Sequence, residues 1–419
     1  MATFNLTDAS ALFKIKYEKL SENVYNSSNV LLGRCKKSYN FTGKQLNLAI
    51  PQSFSGGVGS GSLPTSNRAI YGDAQITSKK MYAVVELDRE TIKAALSDEG
   101  AFVRATKEVV QKGVESFMRN LSRCLFNDGT GLLGTSEEVS DGDARDLVAA
   151  DSDGHIIVPI ASMKEANFEE RDLVDVIISA SASSGGGTTI SDVEIIAVDA
   201  DNDTVTLDKA KVATGNFQDG SSNPKAATIY MQGSKDNDPE GLKGVLDATT
   251  GSKYNISVAR RWKSHQKAAG SSAISTDLLN EMMLAVKKKS GKSPNLIVCS
   301  YKQYEKILNL LEDQKRYQVP TRAGLKSKSG ADISFSGVEF MSVDGPVGIF
   351  PERFVEDDRI YFLNDNHIQI HHRPDFGWFD DDGTVFLRKS GEDTYEARYG
   401  GYLNVYINPC FHGVLSGLA

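Results

Sequence analysis

The sequence predicts a mixed α+β chain of several parts, with a small all-β domain inserted part-way along. Three observations carry that expectation. A long glycine-tipped arm with strand-like flanks feeds into one unusually long amphipathic helix. The stretch 132–237 is dense in Gly, Ser, Asp and Thr and holds short strands in place of helices. Residues 238–419 then alternate helical and strand patterns again, as a mixed domain does.

At 419 residues the chain is too long for one simple core, so two or three domains are expected. Its 40% hydrophobic and 24% charged residues are ordinary for a soluble globular protein. No run approaches the ~18 apolar residues of a membrane span. The opening MATFNLTDASALFKIKYEKL lacks the basic-then-apolar layout of a secretory signal. Cys35, Cys124, Cys299 and Cys410 are far apart with no CxxC or CxxH pair, which argues against a zinc site and a disulfide framework. Cytosolic folding follows as the simplest reading. The 47 Lys+Arg against 55 Asp+Glu give −8, the sign opposite to that of a dedicated DNA binder.

Residues 1–38 hold a short helical pattern, Leu12, Phe13, Ile15, Tyr17 and Leu20 among Lys14, Lys16, Lys19 and Glu18, which reads as an arm packing on a neighbouring element. Residues 39–90 form a finger. Its flanks, Gln45 to Ile50 and Lys80 to Leu87, alternate apolar and polar residues, while Gly56, Gly57, Gly59, Gly61 and Pro64 exclude a helix at the tip. A two-stranded finger buries almost nothing of its own and is marginal alone in water, so it needs another surface, and a second copy of the chain is the natural one.

Residues 91–131 supply the long helix, after the short helical RETIKAAL. Phe102, Ala105, Val109, Val110, Val114, Phe117, Met118, Leu121, Cys124 and Leu125 form one apolar stripe. Ser97 is a cap, Asp98 and Glu99 suit the first turn, and Asp128-Gly129 supplies a stop. Taken whole, this spine is roughly 43 Å long at 1.5 Å per residue. Gly113 interrupts it at a cost of about 1 kcal/mol against alanine, which marks a bend or a close contact.

Within 132–237, HIIVPIA, DLVDVIISA, VEIIAVDA, TVTLDKA and ATIYMQG read as short strands of a barrel or sandwich. Asp201-Asn202 reads as a hairpin turn, and SASSGGGTTIS and NFQDGSSNPKAA as flexible connections. In 238–419, Ser275-Thr276-Asp277 caps a helix carrying Leu278, Leu279, Met282, Met283 and Val286. NLIVCS is a buried strand, Tyr301 to Gln314 a second helix, and KSGADISFSGVEFMSVDGP, RIYFLNDNHIQIHH and TVFLRKS further strands.

The order finger, RETIKAAL, spine, LFNDGTGLLG resembles the major capsid proteins of tailed bacteriophages, the Hong Kong 97-type fold. NDPEGLKGVLDATTG with VARRWKSH, SPNLIVCSYKQYEKILNLLEDQKRYQ and the closing GGYLNVYINPCFHGVLSGLA are similar to later segments of the same family. The resemblance implies an N-terminal arm, an extended loop, a peripheral domain with a spine helix and an axial domain, and it spans the chain except roughly 132–237, which is therefore read as an insertion. It implies a non-enzymatic shell protein without cofactors, assembling with itself into hexamers and pentamers. It also implies a separate scaffolding protein, a portal and a decoration protein as partners. DNA would be packaged only non-specifically, in a virion assembled in the host cytoplasm. Modest negative charge suits a wall that holds DNA without binding it, and equally suits solubility alone. The subunit contacts expected are Phe13 and Tyr17 in the arm, and Phe54, Arg68, Tyr71, Asp73, Lys79 and Lys80 in the finger. The namesake of the family links a finger lysine to a neighbour's asparagine. Lys79 and Lys80 lie in the right region, but no partner asparagine or assisting glutamate is matched here.

Features that invite chemistry are weaker. Gly291-Lys292-Ser293 ends like a P-loop, but Val286 stands where its first glycine is required, and Lys287, Lys288 and Lys289 read as a solvated helix end. His367 and His371 share a face if NDNHIQIHH is a strand, with Asp365 or Asp375 as a third ligand; exposed strand histidines are the commoner case. Phe379 to Gly383 and Asp201-Asn202-Asp203 lack the alternating oxygens of a calcium loop. Cys124 and Cys299 lie in apolar runs and read as core. No Ser-His-Asp or Cys-His arrangement can be assembled. The nearest alternative function is an encapsulin-type compartment; a metal-dependent enzyme on the histidine strand and a surface adhesin are more distant ones.

Overall fold

A computed structural model shows two compact units, residues 1–125 with 241–419, and residues 126–240. It describes residues 30–38, 41, 43–53, 70–88, 99–136, 149–161, 163–181, 184–217, 225–259, 262–312, 324–326, 332–334, 338–342, 344–373, 377–379, 385, 387–389, 391 and 393–419. The arm residues Phe13 and Tyr17, the finger residues Phe54 and Arg68, the glycine tip, RETIKAAL and the Ser97-Asp98 cap lie outside them.

The first unit is mixed α+β. In its first sheet, β1 (Lys36–Ser38), β21 (Ile368–His372), β24 (Thr394–Ile407) and β22 (Gly377–Trp378) lie side by side, and β4 (Lys79–Asp88) and β23 (Leu387–Arg388) also pair with β24. The short helix α1 (Val30–Arg34) precedes β1 and buries Leu31 and Leu32. The long helix α2 (Glu99–Phe126) spans 28 residues, about 42 Å at 1.5 Å per residue. It buries Val114, Phe117, Met118, Leu121, Cys124 and Leu125, the later part of the expected stripe. Phe117 meets Tyr399 of β24 edge-on at 5.2 Å. Gly113 marks a close contact: a Cβ there would stand 2.5 Å from Val85 Cγ2 on β4.

A second sheet of this unit has the order β14 (His265–Ser272), β25 (Gly413–Leu418), β20 (Ile360–Leu363), β15 (Leu296–Cys299), β19 (Gly345–Pro351) and β18 (Val338–Ser342). The strand NLIVCS is fully buried at its centre, as its unbroken apolar run requires. Helices α4 (Thr276–Ser290) and α5 (Tyr301–Glu312) pack on this sheet through Leu279, Met282, Met283 and Ile307. Ser275 caps α4 by accepting from the Leu278 N–H, and Gly291 closes it at φ 74°. That glycine is a helix stop, so the P-loop tail is excluded by geometry. Small pairs complete the unit: α3 (Leu242–Leu246), the hairpin β12 (Ser252–Lys253) with β13 (Ile256–Ser257), β16 (Gly324–Lys326) with β17 (Asp332–Ser334), and the ribbon β2 (Gln45–Ser53) with β3 (Ile70–Thr77).

The second unit is all-β among its described residues, apart from short 3₁₀ turns. Its sheet order is β5 (Leu132–Thr135), β11 (Ala227–Met231), β8 (Leu173–Ser181), β9 (Ser184–Asp199), β10 (Thr204–Leu207), β7 (Ile156–Pro159) and β6 (Ala149–Ala150). The sheet also meets itself. Ser136, just past β5, bridges Ile160, just past β7, and the Ala161 N–H donates to the Thr135 carbonyl at 2.9 Å. Alternate residues of every long strand point into one core containing Val158, Val174, Val176, Val193, Ile195, Val205, Leu207 and Ile229. Two sequence expectations change here. Residues 184–190, expected as part of a flexible connection, continue β9 as strand, because a glycine run whose N–H and C=O groups face β8 can pair as well as any other backbone. The Asp201-Asn202 turn is held by Asp199, whose carboxylate accepts from the Asp201 N–H (3.0 Å), the Asn202 N–H (3.2 Å) and the Asn202 amide (2.7 Å). Those bonds lower its pKa and account for a cluster that could be mistaken for calcium ligands.

Candidate assembly surface

The ribbon β2–β3 carries the first candidate surface. Its register, from Gln45 opposite Thr77 to Ser53 opposite Ile70, places Leu46, Leu48 and Ile50 on one face with Ile76, Ala74 and Gly72. The other face is a polar ladder: the Gln45 amide donates to Asn47 (2.8 Å), and the Asn47 and Gln75 amides both donate to Asp73 (3.3 and 3.2 Å). Burial falls off along the ribbon. Ala74 and Ile76 are fully buried at the root, while Ile70 and Tyr71 at the far end are 52% and 58% exposed.

The root is anchored by residues that no sequence pattern singled out. Strand β24 runs past the end of β4, whose pairing stops at Lys79 opposite Leu403, and so leaves an uncovered edge. Tyr254, at the tip of the β12–β13 hairpin, covers it: its hydroxyl donates to the Val405 carbonyl (2.9 Å), its own carbonyl accepts from the Gln75 N–H of the ribbon (3.0 Å), and its ring lies 5.5 Å from Tyr406. The Asn404 amide adds a bond to the Thr77 carbonyl (2.7 Å). Tyr254 and Asn255 both have positive φ, 51° and 64°, the backbone of a tight hairpin turn. An Asn at the second turn position was the available signal, and it is a weak one.

Lys79 and Lys80 require a correction. The second finger strand is Ile70–Thr77, whereas Lys80 to Leu87 belongs to β4, a strand of the six-stranded sheet paired to β24 over its whole length. Period-2 alternation suits a ribbon and a sheet equally and does not name the partner strand. Lys80 is exposed, with its ammonium 5.9 Å from the Tyr402 ring centre, and Lys79 is half-buried at the ribbon root. Of the expected contact residues, the structure places Tyr71 and Asp73 on the ribbon and the two lysines beside its base.

The outer face of β4 is a second exposed apolar area. Tyr82 and Val84 are 46% and 55% exposed, and Tyr82 meets Phe379 edge-on at 5.7 Å. On the sheet that carries α4 and α5, Leu284, Tyr301 and Met341 are likewise exposed.

The features that invited catalysis resolve into structure. His367 stands in the turn Asp365–His367 before β21 begins, and Asp365 is taken up by the Asn295 amide at 2.6 Å. His371 and His372 are buried in the sheet, contrary to the expectation of exposed strand histidines, and burial lowers the His371 pKa. The run IQIHH pairs with the apolar core strand β24, and that pairing overrides the polarity of its side chains. Cys124 and Cys299 are core thiols, and burial pushes the Cys299 pKa up to about 12. Among the described residues no three His, Cys, Asp or Glu side chains are placed to hold a metal ion, and no helix is long and apolar enough to cross a membrane. Asp380 to Gly383 lie outside the described residues.

Residues 222–419 match the family model of the SU10 major capsid protein. The matched segment is just under half of the chain and contains the whole of the second sheet with α4 and α5. It agrees with the tailed-phage capsid resemblance read from the residues. No curated protein matches the sequence. Among solved structures, the chain is similar to a Cyanophage A-1(L) capsid asymmetric unit (10% identity, 92% of this chain and 90% of that one, TM-score 0.49). It is also similar to a structure from Mycobacterium phage Bobi (10%, 100% and 99%, 0.43), and to the SrpI encapsulin of Synechococcus elongatus (8%, 93% and 87%, 0.45). At TM-scores below 0.5 these likenesses carry no argument between a phage shell and an encapsulin.

Proposed function

We propose that this chain is the major capsid protein of a tailed bacteriophage, a non-enzymatic subunit that self-assembles into the icosahedral shell around a double-stranded DNA genome. The match of residues 222–419 to a major capsid protein family carries the reading. In the Hong Kong 97-type layout, α2 with β4 and β24 forms the peripheral part, the second sheet the axial part, the ribbon the extended loop, and the all-β unit an insertion.

The ribbon supports the mechanism. A two-stranded element that buries only its root leaves Ile70 and Tyr71 half in water, and covering the exposed half on a neighbour stabilises by roughly 1–1.5 kcal/mol each. Repeated by symmetry in hexamers and pentamers, contacts of that size hold a closed shell. Tyr71 and Asp73 serve as ribbon contacts, Lys79 and Lys80 as contacts at its root, and Phe54, Arg68, Phe13 and Tyr17 as contacts of the tip and arm. A scaffolding protein, a portal and a decoration protein complete assembly in the host cytoplasm, and the product is the virion.

Deleting residues 53–62 tests the role. Folded, soluble subunits that build no shells are the expected result, read by sedimentation and negative-stain microscopy. Normal particles from the deleted chain would remove the ribbon from the mechanism.

A further inference from the structure

Lys243, Lys267, Lys287 and Lys389 each pair with a carboxylate, Glu356, Glu281, Asp344 and Glu86 respectively. Lys36, Lys263, Lys289 and Lys292 have no carboxylate within ion-pair reach among the described residues. Lys289 and Lys292 stand at the end of α4 beside the turn Pro409–Phe411, with Lys263 an electrostatic neighbour of Lys289 and Lys36 of His367. The His367 ring stacks flat on Phe411, centroids 3.6 Å apart and planes 5° from parallel. Lys292 Nζ lies 3.4 Å from His367 Nε2 and 5.5 Å from the centre of the Phe411 ring. Lys289 reaches across from the end of α4 to the Lys263 and Ser264 carbonyls, the latter at 3.2 Å. Lys36 stands exposed on β1, in register with Gln369, two residues from His367.

The crowding has an electrostatic signature. Burial first, and then Lys292 and Lys36, lower the His367 pKa, with Asp365 opposing them. Burial first, and then Lys289 and Lys267, lower that of His265, with Glu281 opposing them. Cations are thus held close together, opposed by Asp365 at His367 and by Glu281 at His265, on a chain whose net charge is −8. A cluster with the sign opposite to its chain, fixed by a ring stack and backbone bonds, is suited to an external anion.

We propose that this cluster is a phosphate-contact surface for double-stranded nucleic acid, an inference that rests on the capsid reading and names where the shell protein touches its genome. Ammonium groups on several elements fit the regular phosphates of a duplex backbone. Lysine ammonium groups contact phosphates rather than base edges, so contact is independent of sequence.

The test uses the full-length chain as unassembled subunits and a fluorescent 20-base-pair duplex of arbitrary sequence, followed by anisotropy across a salt series. Four phosphate contacts give a slope of about −3 to −4 in log affinity against log salt. Reversing two charges, Lys289→Glu with Lys292→Glu, is expected to weaken binding at least tenfold and flatten the slope by about 2. Reversing two lysines elsewhere, Lys235→Glu with Lys302→Glu, is expected to leave both unchanged. Lys292→Gln alone, which disturbs no backbone bond, is expected to flatten the slope by about 1. Equal losses from both double variants, or no salt-dependent binding by the parent chain, overturn the proposal. Competition by poly-glutamate as effective as that by duplex, at equal charge, overturns it in favour of an acidic protein partner. Microscopy of the same variants separates the two readings: shells that form without duplex binding leave the capsid assignment standing, and duplex binding by a chain that never forms shells removes it.

Discussion

Two β regions of this chain use the same kind of short alternating strand and reach opposite ends. In the unit of residues 126–240 the strands meet around a common interior, and Val158, Val174, Val193, Ile195, Val205, Leu207 and Ile229 are fully buried. In the ribbon β2–β3 only the root is covered, and the apolar side chains farther out stay in water. Strand sequence does not separate the two cases. Strand number and closure do: a sheet that meets itself completes a core and leaves few open edges, whereas two strands have an inside only where something else lies against them. One region is therefore built to be self-sufficient and the other to be completed by contact.

The largest expected effect contrasts the two directly. Phe217→Ala empties the middle of the closed core and is expected to destabilise by about 3–5 kcal/mol, seen as an earlier thermal transition. Tyr71→Ala is expected to change subunit stability by less than about 0.5 kcal/mol while reducing shell yield. Comparable stability losses from both would break the comparison.

The pH of such an assay matters, because two buried groups of the first unit titrate in opposite senses. Burial raises the Glu352 pKa from 4.5 to about 7, so its contribution is fully present below pH 4.5 and lost as pH rises through 7. Burial lowers the His412 pKa from 6.5 to about 3, so its contribution is present above pH 6.5 and lost as pH falls toward 3. Glu352→Gln is expected to gain roughly 2–4 kcal/mol at pH 8 and almost nothing at pH 4, measured by urea unfolding at each pH.

Gly113→Ala sharpens the point that contact overrides local preference. Alanine favours an exposed helix by about 1 kcal/mol, but here its Cβ meets Val85 at 2.5 Å, so a net loss of about 1–3 kcal/mol is expected, recovered on adding Val85→Ala. The smallest effect tests the ribbon root. Tyr254→Phe keeps the ring and removes the bond to Val405, with an expected loss of about 0.5–1.5 kcal/mol and faster amide exchange at Gln75.

What the sequence made legible follows from these contrasts. Periodicity located the spine, the buried strand Leu296–Cys299, the cap at Ser275 and the strands of residues 155–233, because each is a local pattern with a local cause. Gly113 was legible as an anomaly, and its meaning, the approach of Val85, was not, since β4 lies elsewhere in the chain. Partnership was the recurring blind spot. The strand opposite Gln45–Ser53 proved to be Ile70–Thr77, and Lys79 and Lys80 joined β24 instead. Tyr254 escaped notice for the same reason, because its role exists only where β24 outruns β4. The lysine cluster was hidden by a net charge that averages over the whole chain.

Completion of the ribbon by a sister molecule is checked by a photo-crosslinking amino acid at position 71 in assembled particles. Adducts joining two copies of the chain, absent from dilute unassembled subunits, are the expected product. Adducts confined within single chains in both states would contradict the account.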